Sequence, residues 1–305
     1  MQPDDKARLT GTLCVLGAVV AWGAYFPYAK LVLQKISPSS FLIIRLGVGA
    51  ATLYLLNIAL KKSLHINRSD WLFVIITGGI GIILHQLIQL TGLKVTSATN
   101  TGWILTLNPP VAGILGWLLL RERVTVQKLI GLAIAMLGVA LLISKGHLSE
   151  LSLVRNWGDT LALISIGSWS IYIIMLKARL TSYEPLAISA FHMLLGFAFF
   201  SVIGGAQFVQ EAGLMTATEW VIAVAIGILP SGLAYYWWTT GLRRLSVIDI
   251  SMFLFIEAIV ASLTGWAVLG ESFTTLMVLA TAVIIFGVWL AETRRFNKPG
   301  SAMPA

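Results

Sequence analysis

Glu257 interrupts the apolar run "SMFLFIEAIVASLTGWAVL", and a carboxyl group there has three chemical uses. It could bind a substrate's ammonium group, carry a proton, or stay protonated and hydrogen-bonded to a neighbouring helix. Asp249, Phe253 and Glu257 recur every four residues, so on a helix they fall near one face. A matching stripe, Asn100, Ile104 and Asn108, leads directly into Pro109 and Pro110. Proline removes a backbone donor and clashes with the preceding turn. The pair is therefore expected to kink or hinge a helix, with the Asn108 amide satisfying freed carbonyls. His85 and Gln89 share a helix face, with Gln86 beside them, a grouping that suits a wall facing water.

Aromatic residues recur at helical spacing near these polar groups. Tyr25 follows Trp22 by three, Tyr172 follows Trp169 by three, Trp103 follows Asn100 by three, and Trp238 follows Tyr235 by three. Such rings can stack on apolar or aromatic ligands or attract an ammonium group, and each can equally serve ordinary packing. The candidate binding residues are Glu257, Asn108, His85, Gln89, Trp103, Trp169, Trp22, Tyr235 and Trp238, with Pro109 and Pro110 as the hinge. No HExxH pair, Walker loop, carboxylate-rich metal cluster or Ser-His-Asp grouping accompanies them. Enzymatic chemistry, a metal and a cofactor are therefore not expected.

These side chains need elements to hold them, and composition says which. The 305 residues are 57% hydrophobic and 11% charged, with a mean hydropathy of +0.87. Soluble domains carry roughly 25% charged residues, so this chain could not cover a water-facing surface. Apolar runs of bilayer-crossing length, about 20 residues each, fall at 9–33, 40–60, 70–91, 96–119, 125–144, 157–177, 185–208, 218–240, 247–269 and 273–291. They are continuous and twice the length of barrel strands, so they predict an all-α polytopic membrane protein with ten spans. The lone cysteine, Cys14, cannot form an intramolecular disulfide.

The net charge of +8 could suggest nucleic acid, but its distribution predicts topology instead. With the N-terminus inside, fifteen Lys and Arg fall in inner segments and five (Lys30, Lys35, Lys94, Lys145 and Arg155) in outer ones. That bias places both termini, including a tail at 294–305, in the cytoplasm of a cell whose inner membrane the chain spans. Arg45 lies about six residues from the outer end of its span and is expected to snorkel outward.

The chain also repeats itself. "GLKVTSATNTGWILTLNPPVAGILGWLLLRERVT" lies over "GLRRLSVIDISMFLFIEAIVASLTGWAVLGESFT" at an offset of 149, so Asn108 meets Glu257. The front of each half matches at 147, pairing Trp22 with Trp169 and Arg45 with His192. Five spans per half is odd, so the second half enters the membrane from the other side. An inverted five-plus-five repeat over 9–146 and 157–293 is a secondary-transporter architecture, with its site near the midplane. Because the prolines lack second-half counterparts, bending is expected to concentrate in the fourth span. Gly131, Ala135 and Gly138 form a small-residue seam that could serve either the monomer or a homodimer. Glu122 and Glu271, at span ends, are expected to cap helices.

"NPPVAGILGWLLLRERVT" and "EAIVASLTGWAVLGESFT" resemble the paired signature of EamA-type transporters in the drug/metabolite transporter superfamily. Arg121 departs from that pattern, which prefers glycine, and Ala258 departs where it prefers proline. The ten spans and many tryptophans look most like bacterial exporters of amino acids, including aromatic ones. The resemblance implies a secondary exporter of neutral amino acids and related small metabolites working by alternating access. Export of cationic drugs, with Glu257 as counter-charge, is the alternative substrate class, and a channel-like facilitator the alternative mechanism.

Overall fold

In the computed structural model, residues 3–95, 104–144, 154, 156–270 and 274–293 are described. Among them the chain is helical, with no strand. Among the described residues nine helices are long and apolar enough to span a bilayer: Asp5–Leu33, Pro38–Leu60, Arg68–Val95, Val126–Ser144, Trp157–Leu180, Pro185–Ala212, Ala217–Leu242, Val247–Val268 and Thr275–Glu292. Asn108–Leu120 is a shorter apolar helix within the fourth span. Asn100, Trp103, Arg155, Glu271 and the tail at 294–305 lie outside the described residues.

Span boundaries follow local chemistry. Ser37 caps the second span through the Ser40 amide, with Pro38 just inside, where its missing N–H costs nothing. Asn156 with Asp159, and Thr216 with Glu219, form reciprocal capping boxes at the sixth and eighth spans. The fourth and ninth spans end on left-handed residues at equivalent positions, Arg121 (φ 55°) and Gly270 (φ 67°). Left-handed backbone explains a glycine preference there. Arg121 adopts it without that relief.

The halves meet through equivalent spans. In the second and seventh, a Cβ on Gly47 would sit 2.9 Å from the Phe197 ring, and one on Gly196 2.8 Å from Leu46. In the fifth and tenth, a Cβ on Gly131 would lie 2.6 Å from the Gly287 carbonyl, and one on Gly138 2.7 Å from Ile284. Ala135 is fully buried in the same seam, where Gly287 approaches its backbone. The small-residue seam is thus consumed inside one chain and offers no face for a homodimer.

Four spans near the centre are interrupted. The third and eighth each contain a widened turn, at Gly79–Leu84 and Gly227–Leu233. There the His85 N–H reaches back five residues to the Ile80 carbonyl, and the Ala234 N–H to that of Leu229. Such widened turns concentrate at functional sites. The fourth span turns at Thr106–Leu107, and Pro109 and Pro110 occupy the first turn of the helix beyond. The prolines therefore start a helix and are not embedded in one. The ninth span breaks at Phe253, between Val247–Met252 and Leu254–Leu269, without any proline. Bending is therefore not confined to the fourth span.

One group of polar ties joins the halves through the first, fourth, fifth, ninth and tenth spans. The Glu122 carboxylate accepts the Val247 N–H at 2.9 Å and the Ile248 N–H at 3.4 Å, capping the ninth span. Lys128 pairs with Asp249, and Arg8 with Glu292 at 2.8 Å. Asp249 is thereby committed to Lys128, and of its predicted stripe only Glu257 joins the central cavity.

Candidate functional site

Seven spans of the two halves line one central cavity. The first contributes Trp22, Tyr25 and Phe26, and the third His85, Gln86 and Gln89. Arg45 comes from the second, Leu105 and Asn108 from the fourth, and Trp169, Tyr235 and the pair Leu254–Glu257 from the sixth, eighth and ninth. Of the expected binding residues, Glu257, Asn108, His85, Gln89, Trp169, Trp22 and Tyr235 line this cavity. Trp238 does not. It is fully buried behind the wall, 5.1 Å from the Trp22 ring and 5.6 Å from Trp169. Trp103 lies outside the described residues.

The aromatic wall is braced from several directions. Trp22 and Trp169, equivalent in the repeat, meet edge to face with centroids 5.4 Å apart. Tyr235 stands 5.3 Å from Trp22, also edge to face. Each such contact contributes about 0.5–1.5 kcal/mol beyond burial. The Trp22 indole donates to the Pro230 carbonyl at 2.9 Å. Pro230 sits in the widened turn of the eighth span, where an irregular ladder frees carbonyls for side chains. That turn thereby fixes the ring.

Polar groups form a second, connected layer. The Arg45 Nε donates to the Ser231 hydroxyl at 2.8 Å, and its Nη1 to the Gln86 carbonyl oxygen at 3.2 Å. The Gln86 amide donates in turn to the Tyr235 hydroxyl. The Arg45 guanidinium lies 4.9 Å from the Tyr25 ring centroid and 5.8 Å from that of Phe41. With 1% of its surface exposed, Arg45 does not snorkel to the interface. Ser231, Gln86 and two aromatic faces hold it inward instead. Its depth in an apolar span was the available sequence signal, together with its pairing to His192, which is also fully buried.

His85 is oriented by the sixth span. Its Nδ1 lies 2.9 Å from the Ser165 carbonyl, which can only accept, so Nδ1 carries the hydrogen. The Ser168 hydroxyl, 3.3 Å away, also faces Nδ1 while donating to Ser165. Nε2 is left as the nitrogen that would take up a proton. Asn108 and Glu257 behave differently from the rest of the lining. The Asn108 carbonyl oxygen is buried without a hydrogen-bond partner, and Glu257 has no ion pair or hydrogen bond among the described residues. The two equivalent polar positions of the repeat thus present unused acceptors to one cavity.

The EamA-like transporter family model matches residues 9–144 and again 156–293. Transporter YyaM of Bacillus subtilis is 26% identical over 287 residues, covering 92% of each chain. A transporter of Archaeoglobus fulgidus is 26% identical over 280 residues, covering 91% of this chain and 96% of its own. The S-adenosylmethionine/S-adenosylhomocysteine transporter of Chlamydia trachomatis is 23% identical over 290 residues, covering 91% and 87%. A solved crystal structure shares the fold with a TM-score of 0.78 at 19% identity, over 92% of this chain and 97% of that one.

Proposed function

The chain belongs to the EamA-like transporter family, and on that premise we propose that it exports neutral amino acids, aromatic ones included, and related small metabolites. Its membrane is the cell's inner membrane, with both termini cytoplasmic, and the central cavity is the transport site. The observation that carries this reading is the cavity lining: aromatic walls with Asn108 and Glu257, equivalent residues of the two halves, presenting unused acceptors. Aromatic faces suit apolar and aromatic side chains, and acceptors suit an ammonium group. The substrates named for the Chlamydia trachomatis relative both carry an α-amino-acid head, which supports the same class. Two halves related by an inverted repeat support alternating access, in which exchanging their conformations reverses the opening.

Counterflow in proteoliposomes containing the purified chain tests this reading, with a panel of amino acids and cationic drugs and with or without an imposed pH gradient. Saturable exchange of neutral and aromatic amino acids is expected, and Glu257→Gln should reduce it at least roughly ten-fold at unchanged protein level. Exchange of cationic drugs alone would replace the substrate class. Conductance without exchange would replace the mechanism with a channel.

A further inference from the structure

Arg45 stands in the same cavity as Glu257, yet no ion pair joins them, and neither has an ionic partner among the described residues. The partners of Arg45 are all neutral: Ser231, Gln86 and the rings of Tyr25 and Phe41. A guanidinium cannot release its proton, so this charge is permanent. A permanent buried cation normally takes a carboxylate or phosphate as partner, and the described residues supply none. A planar guanidinium also matches a carboxylate geometrically, because it offers parallel N–H donors.

The acceptors belong to other spans. Arg45 comes from the second span and is held by the third and eighth, whereas Asn108 and Glu257 come from the fourth and ninth. The lining therefore has a donor group and an acceptor group carried by separate elements, with the Trp22 and Trp169 rings also facing the space. A ligand bearing both a carboxylate and an ammonium satisfies both groups at once. A simple cation leaves Arg45 unpaired, and a simple anion leaves Glu257 and Asn108 unpaired.

We propose that Arg45 binds the substrate carboxylate while Glu257 and Asn108 take its ammonium, so that the cavity selects zwitterionic α-amino acids over amines and carboxylic acids. The selection rests on the reading of the cavity as the transport site and adds the group that excludes cationic drugs. It follows from unfilled groups: a simple cation leaves the permanent Arg45 charge buried without a counter-ion, and a simple anion leaves the Glu257 and Asn108 acceptors unfilled.

The test uses the wild-type chain first. Proteoliposomes loaded with phenylalanine take up labelled phenylalanine by counterflow, with external competitors that each lack one group. These are phenethylamine, 3-phenylpropionate and phenylalanine methyl ester. Each is expected to compete at least ten-fold more weakly than phenylalanine. Equal competition by phenethylamine or the methyl ester would overturn the role of Arg45 and leave amino-acid transport standing. Absence of any phenylalanine counterflow, with exchange of a cationic probe intact, would overturn the amino-acid reading and this selection together. Arg45→Gln, checked for monodisperse elution and unchanged helical content, is expected to lose phenylalanine exchange and narrow the gap to phenethylamine. Arg45→Lys, which keeps the charge without the planar fork, should fall between them. A misfolded Arg45→Gln chain leaves the wild-type competition series to decide.

Discussion

Gln86 and Tyr235 hydrogen-bond to one another in the centre of the protein, and they are the same position of the two repeats, 149 residues apart. Trp22 and Trp169, also equivalent, touch beside them. Where equivalent residues meet, the internal two-fold of the architecture passes through or close to the contact. The aromatic wall and the polar layer are therefore built at the symmetry element that relates the halves. A movement exchanging their conformations must keep or remake these contacts.

Removing the Tyr235 hydroxyl should accordingly cost more than one hydrogen bond's average worth. In Tyr235→Phe the Gln86 amide N–H is left buried without its acceptor, a penalty of about 1–3 kcal/mol. The thermal midpoint in detergent is expected to fall and counterflow to slow several-fold. A double-mutant cycle with Gln86→Ala should show coupling of about 0.5–3 kcal/mol. Additive effects on stability and flux would mean that the bond contributes nothing to either.

The left-handed residue at the end of the fourth span offers an opposite change. Arg121 holds φ 55° where its counterpart Gly270 holds φ 67°, and a side chain in that region costs about 1 kcal/mol relative to glycine. Arg121→Gly should therefore raise stability by about that amount and leave transport unchanged, since Arg121 is exposed and outside the cavity lining. Gly270→Ala should lower stability by a similar amount. Equal midpoints for wild type and Arg121→Gly would show the strain to be relieved elsewhere.

Two glycines of the third span separate crowding from flexibility. A Cβ on Gly81 would fall 2.1 Å from the Tyr172 ring, whereas one on Gly79 meets nothing within 4 Å. Tyr172 is fully buried against Trp169, with centroids 5.4 Å apart. Gly81→Ala must displace that ring and, through it, a wall of the cavity. Overpacking of this kind costs about 1–3 kcal/mol, so both midpoint and flux should fall. Gly79→Ala should match wild type in both measurements.

Much of this arrangement was legible because depth and repetition are sequence properties. The span pattern, the pairing of Asn108 with Glu257 and that of Trp22 with Trp169 follow from apolar run length and constant offsets, and the shared face of His85 and Gln89 from helical spacing; all six residues line the cavity. Direction around a helix was less legible once helices broke. Asp249 and Glu257 share a face in an ideal helix, but the break at Phe253 lies between them and Lys128 claims Asp249. Arg45 shows the other limit. Its depth was readable, but whether it turns outward to the headgroups or inward depends on Ser231 and Gln86, which lie 186 and 41 residues away. Glu122 was readable as a cap, but not as the cap of the ninth span, which only the packing of the two halves brings to it.

The prolines of the fourth span yield a test of movement rather than of stability. Pro109 and Pro110 stand in the first turn of Asn108–Leu120, where backbone N–H groups lack intrahelical partners in any case. Replacing both with alanine should therefore leave folding intact. The substitution restores two N–H donors next to the Thr106–Leu107 turn, within reach of the carbonyls one turn back. A helix continuous from Ile104 to Leu120 then becomes available, and the break loses the feature that enforces it. If the break serves as a hinge during exchange, the double variant should turn over about ten-fold more slowly, with apparent substrate affinity little changed because Asn108 is retained. Counterflow rates across a substrate concentration series separate the two quantities. Wild-type turnover from a stable Pro109→Ala/Pro110→Ala chain would remove the hinge role and leave the prolines as helix starters alone.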